Sequence, residues 1–176
     1  SRFSEYLQKL EKTSSRLEIT AILKELFAET DIKEIKEVVY LSLGILAPNY
    51  ESKLLNLAEK MVLRSISFAY DKDLSSVTKI YKELGDVGDV AEKLAHSKTT
   101  GSELTVNEVF SKLVLIADDS GEGSQDRKIE KFAELIKGLD SLSVRYVARI
   151  PVGKLRLGFS EKTILDALGA GEDAYN

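Results

Sequence analysis

The residues best suited to chemistry lie in one stretch, Pro151-Val152-Gly153-Lys154-Leu155-Arg156-Leu157-Gly158-Phe159-Ser160. Lys154 and Arg156 stand two apart. Pro151 stops one helix, Gly153 and Gly158 let the backbone come close to a surface, and Ser160 is placed to cap the next helix. Free amides at a helix N-terminus beside two cations are suited to holding an anion, above all phosphate. The surrounding segment strengthens this. From Ser141 to Ser160 there are four cations, Arg145, Arg149, Lys154 and Arg156, and no acid, whereas the whole chain nets −4. The expectation is one concentrated cationic patch on an acidic body. The competing reading is a solvated connector whose charge is incidental.

Two further glycine turns open helices: Gly121-Glu122-Gly123-Ser124-Gln125-Asp126-Arg127-Lys128 and Gly85-Asp86-Val87-Gly88. Neither has the G-x-x-x-x-G-K-[ST] pattern of a nucleotide loop, and neither follows a strand. Singly they read as helix-helix turns; together, amide-presenting turns could grip a sugar-phosphate backbone without reading bases. Catalytic candidates are poor by comparison. His96 sits among polar neighbours with no nucleophile near it in sequence, and reads as a surface histidine. Glu59 and Glu161 suit the first turn of a helix, where the dipole favours an acid. Asp118 and Asp119 end a helix without the spaced oxygens of a Ca²⁺ or Mg²⁺ loop. There is no cysteine, only one histidine, and no K-x-D-G lysine for nucleotidyl transfer. No catalytic residue and no metal ligand is assigned.

The elements that must position these turns read as helices throughout. The 176 residues are 43% apolar, enough for one compact domain, or two small halves sharing a core. Two prolines and eleven glycines leave little punctuation, and apolar positions recur at helical spacing. Phe3, Tyr6, Leu7 and Leu10 give a first helix; Ile19, Ile22, Leu23 and Leu26 give a second, capped from Thr13-Ser14-Ser15. Asp31 is expected to cap a third running through Val38 and Leu43 until Pro48, and a fourth runs from about Lys53 to Tyr70. A fifth opens at Asp73, a short helix ends near His96, and another, marked by Val106, Val109, Phe110, Leu113 and Ile116, ends at Asp118-Asp119-Ser120-Gly121. About ten helices are expected, all-α. No apolar run approaches a membrane span, and the start is too polar for a signal peptide, so a soluble cytosolic or nuclear protein without a membrane partner is expected.

The last third repeats the first. Ile129, Phe132, Ala133 and Ile136 match Ile19, Ile22, Leu23 and Leu26; Tyr146 matches Tyr40; and Ser160 to Leu168 matches Ala58 to Ile66. The interval between matched positions shortens at each connection, as when helices are kept and loops trimmed. Two related halves, about 1–96 and 105–176, with approximate two-fold symmetry, are inferred.

Tyr146-Val147-Ala148-Arg149-Ile150-Pro151-Val152-Gly153-Lys154-Leu155-Arg156-Leu157-Gly158, followed by Ser160-Glu161 and Ile164-Leu165, resembles the end of the N-terminal DNA-binding domain of ATP-dependent DNA ligases of the archaeal and eukaryotic replicative type. Ser14-Ser15-Arg16-Leu17, Val39-Tyr40-Leu41-Ser42-Leu43 with Pro48, Gly85-Asp86-Val87-Gly88 and the turn from Gly121 to Lys128 resemble its other motifs in order. The resemblance covers the whole chain, 1–176, and is most specific from Tyr146 to Gly158. It implies an all-helical domain that binds duplex DNA across the minor groove on both sides of a nick, without sequence preference. Carried over by position, Ser14, Arg16, Gly85, Gly88, Gly121, Ser124, Lys128, Gly153, Lys154, Arg156 and Gly158 would line the DNA face.

The same resemblance implies that sealing is done by adenylation and OB-fold domains absent from this chain. The chain reads as an excised domain, not an enzyme alone, whose parent would be an ATP-dependent DNA ligase using ATP and Mg²⁺. Its partners would be nicked double-stranded DNA and the ligase's own other domains, in the cytoplasm of an archaeon or the nucleus of a eukaryote. Archaeal relatives can bind the sliding clamp through a glutamine and paired aromatics. The corresponding interval, residues 97–104, has neither, which argues against a clamp contact there. The rival reading is a helical protein-interaction module whose basic loop docks an acidic partner.

Overall fold

Local sequence sets most helix starts. Asp, Ser or Thr stands just before five of the helices and accepts a backbone amide of the first turn, satisfying a donor that the helix cannot. Ser15 accepts from Glu18 N at 3.4 Å, Asp73 from Ser76 N at 3.2 Å and Asp86 from Asp89 N at 2.9 Å. Thr105 accepts from Glu108 N at 3.1 Å and Asp140 from Ser143 N at 2.8 Å. The structure, a computed structural model, describes residues 2–46, 55–96, 104–153 and 155–169. Among the described residues there are ten α-helices and no strand, as the periodicity requires. They are α1 (Arg2–Glu11), α2 (Arg16–Glu29), α3 (Ile35–Leu43), α4 (Glu59–Tyr70) and α5 (Leu74–Leu84), then α6 (Val87–Ala95), α7 (Val106–Asp118), α8 (Ser124–Lys137), α9 (Ser141–Arg149) and α10 (Glu161–Ala167). None is long and apolar enough to cross a membrane.

Four expected boundaries are corrected. α3 does not run on to Pro48, which lies outside the described residues: it ends at Leu43, where Gly44 turns left-handed at φ +71° and donates its amide to the last turn. Asp31 does not cap α3: its carboxylate closes a turn on Lys33 N at 2.9 Å, and the helix begins four residues later, after Glu34. The fourth helix starts at Glu59, because residues 55–58 are not helical, and Lys53 lies outside the described residues. Ser160 precedes α10 but accepts no amide from it; its hydroxyl faces Thr163 Oγ1 at 3.5 Å.

Several helix pairings recur along the chain. α1 packs on α2 as α7 packs on α8; α1 meets α9 as α7 meets α3; α4 lies on α8 as α10 lies on α2. These pairings correspond under exchange of α1, α2, α3 and α4 with α7, α8, α9 and α10, whereas α8 packs on α9 with no contact of that extent between α2 and α3. One detail is specific. In the repeat, Arg16 matches Asp126 and Asp166 matches Arg64. Arg16 meets Asp166 at 3.5 Å and Arg64 meets Asp126 at 4.0 Å, so one ion pair occurs twice with its charges exchanged. With α4 on α8 and α10 on α2, one continuous apolar core runs from Tyr6 and Leu23 through Val62 and Ile66 to Phe132 and Ile164.

α6 and α9 stand at the middle of this arrangement and pack against each other more extensively than any other pair. Close approach is possible because α6 presents Gly88 to α9: a β-carbon there would lie 2.4 Å from the Arg145 carbonyl oxygen.

Candidate functional site

The segment with four cations does not form a four-cation surface. α9 has acid-bearing elements on two sides, α1 and α6, and two of its arginines turn inward onto them. Arg149 is 0% exposed. Its guanidinium donates to Asp86 Oδ2 from Nε at 3.0 Å and from Nη2 at 2.9 Å, and to Glu11 Oε1 from Nη1 at 2.8 Å. The same Nη1 donates to the Leu155 carbonyl at 3.4 Å. Arg145 donates to both carboxylate oxygens of Glu11, at 3.1 and 3.0 Å, to Glu92 at 2.8 Å, and to Asp89. Buried guanidinium is tolerated only when paired in this way. The expected patch is therefore corrected: Arg145 and Arg149 are spent on the interior, and of its four cations Arg156 is left at the surface, with Lys154 outside the described residues.

Glu11 is the hub that this network shares with α1. Burial pushes its carboxyl up, but hydrogen bonds from Arg145, Tyr146 and Arg149 outweigh burial and hold it at about 2 against an ordinary 4.5. A carboxyl lowered on folding contributes stability above its ordinary value, and that stability is lost as pH falls through the folded value. The denaturation midpoint is therefore expected to fall between about pH 4.5 and pH 2. Glu11→Gln should flatten part of that descent while lowering stability at neutral pH. An unchanged acid profile in Glu11→Gln would mean that other carboxylates carry the acid lability.

The remaining candidates separate into open turns and packed positions. Gly85 ends α5 at φ +74°, Gly121 lies at φ +90°, and Gly153 and Gly158 at φ +69° and +57°. A β-carbon at any of the four would meet nothing within 4 Å, so these turns present bare backbone to solvent. Ser124 is the first residue of α8, after Gly123, and the turn before it is tied by Arg127, which donates to the Glu122 carbonyl at 2.7 Å and to Asp119 at 2.8 Å. Ser14 is exposed beside the capping Ser15, and Arg16 is exposed at the start of α2.

Two candidates are elsewhere. Lys128 is 4% exposed and donates from Nζ to the Leu55 carbonyl at 2.8 Å, so its charge joins α8 to the segment before α4 and is not offered to a ligand. Gly88 is buried at the α6 and α9 crossing and serves packing. His96 is an exposed helix-end residue 3.8 Å from Glu92.

Three ion pairs tie the candidate segments to other elements. Arg156 Nε lies 3.8 Å from Asp86 Oδ1, which joins the loop after α9 to the turn opening α6. The Arg16 and Asp166 contact sets the start of α2 beside α10, and Arg64 with Asp126 sets the Gly121 to Ser124 turn beside α4. Sequence reasoning missed Glu11, Asp86 and Arg149 as the residues that hold the loop. One signal was available. It was an ambiguous one: Ser141, Arg145 and Arg149 fall at i, i+4, i+8, the spacing of an ordinary polar helix face, so the sequence reads Arg149 as solvated.

The family model described as DNA ligase N terminus matches residues 1–169. The chain is 42% identical over 165 residues to a probable DNA ligase of Dictyoglomus turgidum, covering 94% of this chain and 28% of that protein. It is 40% identical over 181 residues to DNA ligase 2 of Thermofilum pendens, covering 97% and 30%. With the DNA ligase of Saccharolobus solfataricus it shares 40% identity over 187 residues, covering 97% and 31%. The chain thus spans about three-tenths of the length of these curated relatives.

Proposed function

The chain belongs to the DNA ligase N-terminal family, and from that membership and the site geometry we propose that it binds duplex DNA without sequence preference, across the minor groove on both sides of a nick. The observation that carries this reading is the loop after α9: Arg156 is 52% exposed, the glycines at 153 and 158 are open, and the Gly85 turn lies alongside through Asp86. Phosphates would be met by cations and bare amides, which position a duplex without reading bases. The repeat supports it further. The starts of α2 and α8 are matched positions in the two halves and could serve the two antiparallel strands in the same way.

In this reading Ser14, Arg16, Gly85, Gly121, Ser124, Gly153, Lys154, Arg156 and Gly158 face DNA. Lys128 and Gly88 act from beneath. The domain supplies holding and no bond-making step, since keeping the ends of a nick in register raises effective concentration. ATP and Mg²⁺ chemistry is assigned to further domains of a longer DNA ligase. Asp119, at the end of α7, is bound by Arg127 and Lys131.

The test is a fluorescence titration of the chain against nicked and intact duplexes of arbitrary sequence at several salt concentrations. Binding is expected to weaken steeply between roughly 50 and 200 mM salt. Replacing Lys154 and Arg156 together by alanine should weaken binding to every sequence alike and lower the salt slope by up to ~2. No duplex binding at low salt would overturn the reading, and so would affinity confined to an acidic protein partner.

A further inference from the structure

Arg156 is at φ +63°, in the left-handed region that a long side chain rarely adopts. Its neighbours explain how it is kept there. Leu155 and Leu157 are both buried, so the chain is pinned on each side of an outward-facing residue. Leu155 also accepts from the fully buried Arg149 through its carbonyl, at 3.4 Å. Below the Arg156 side chain lies Asp86, 5% exposed, with its two oxygens divided. Oδ2 is taken by Arg149 and by the α6 amide of Asp89; Oδ1 faces Arg156 Nε at 3.8 Å.

The charges make the arrangement one-sided. Four carboxylates, those of Glu11, Asp86, Asp89 and Glu92, surround the guanidiniums of Arg145 and Arg149. Arg156 is the third cation drawn to this cluster, from its solvent side. The geometry points to Asp86 and Arg149 as a positioning pair, which holds Arg156 in its strained conformation and ties the Gly85–Gly88 turn and the Leu155–Leu157 segment into one rigid unit. Neither residue of the pair touches a ligand. Arg149 is wholly enclosed, and Asp86 acts through Arg156. The inference rests on the DNA-contact reading for its functional consequence, while the positioning itself is independent of it.

Lysine in place of Arg149 keeps the charge but cannot reach Asp86, Glu11 and the Leu155 carbonyl at once, because an ammonium lacks the planar fork. The experiment compares wild type, Arg149→Lys, Arg156→Ala and the double variant well below their melting temperatures, with folding checked by circular dichroism. Losing one phosphate contact at about 0.1 M salt corresponds to a roughly fivefold to tenfold loss of affinity and a salt slope lower by about 1. Arg149→Lys is expected to reproduce that loss and that slope change, and the double variant to be no weaker than Arg156→Ala alone. A folded Arg149→Lys with wild-type affinity, or losses that multiply in the double variant, would overturn the proposal.

A second readout needs no DNA. Trypsin can cut after Arg156 only when Leu155 and Leu157 leave the core, so cleavage there reports release of the segment. That rate should rise about tenfold more in Arg149→Lys and in Asp86→Asn than cleavage after Arg64, which reports opening of α4 with the rest of the fold, and equal rises at both sites would overturn the proposal. If it stays at the wild-type rate the pair does not position Arg156. Should the wild-type chain fail to bind duplex at all, the DNA reading falls and this cleavage rate alone decides the positioning.

Discussion

Gly88→Ala is expected to be among the most damaging single-methyl changes in the molecule, with a loss of about 3–5 kcal/mol. In an open helix the same substitution would stabilise, since glycine costs roughly 0.5–1 kcal/mol relative to alanine. Here the added carbon would lie 2.4 Å from the Arg145 carbonyl oxygen and 2.6 Å from Arg149 Nε. The first of these is backbone and cannot swing aside, so α6 must move away from α9. That movement also stretches the Arg149 contacts to Asp86, which begins the turn before α6. At about 2–4 °C per kcal/mol for a chain of this size, the thermal midpoint should fall by roughly 6–20 °C. Thermal and urea denaturation of Gly88→Ala beside wild type measure it. A variant as stable as wild type would show that α6 and α9 can separate without cost, contrary to the packing described above.

Arg149→Met should cost a similar amount, about 3–5 kcal/mol, for an electrostatic reason. Methionine fills much of the volume but leaves Asp86, 5% exposed, without its main counter-charge, and deprives Glu11 of one of its donors. Breaking a buried pair from one side is costly because the remaining charge cannot return to water. Two consequences distinguish this from lost packing. Adding Asp86→Asn to Arg149→Met should recover about 1–3 kcal/mol, since the amide is neutral and its oxygen can still cap α6. The variant's deficit should also shrink as pH falls from about 4.5 to about 2, because over that range the wild type loses the stability that Arg149 lends through Glu11. A deficit that is the same at every pH and is additive with Asp86→Asn would assign the loss to shape alone.

Much of the fold follows from near neighbours in the chain and was readable there. Helical spacing at Phe3, Tyr6, Leu7 and Leu10, or at Val106, Val109, Phe110 and Leu113, needs only a 3.6-residue period and an apolar face to bury. Caps at Ser15 and Asp73 act on amides three residues away, and glycines at 85, 121, 153 and 158 answer the local demand for positive φ. The family resemblance from Tyr146 to Gly158 was likewise visible in a short run.

What the tertiary structure alone decided is which charges remain available. Summing cations over Ser141 to Ser160 treats each as solvated, yet Arg149 bonds to Glu11 from 138 residues away and to Asp86 from 63. Lys128 likewise gives its charge to the carbonyl of Leu55, 73 residues earlier. Gly88 looks like its neighbour Gly85, but one is pressed on α9 and the other is open. A local pattern specifies a conformation because backbone and cap interactions are short in sequence. Charge neutralisation and close packing depend on which elements meet, and here α1 and α6 reach α9 from distant parts of the chain, only in the folded molecule.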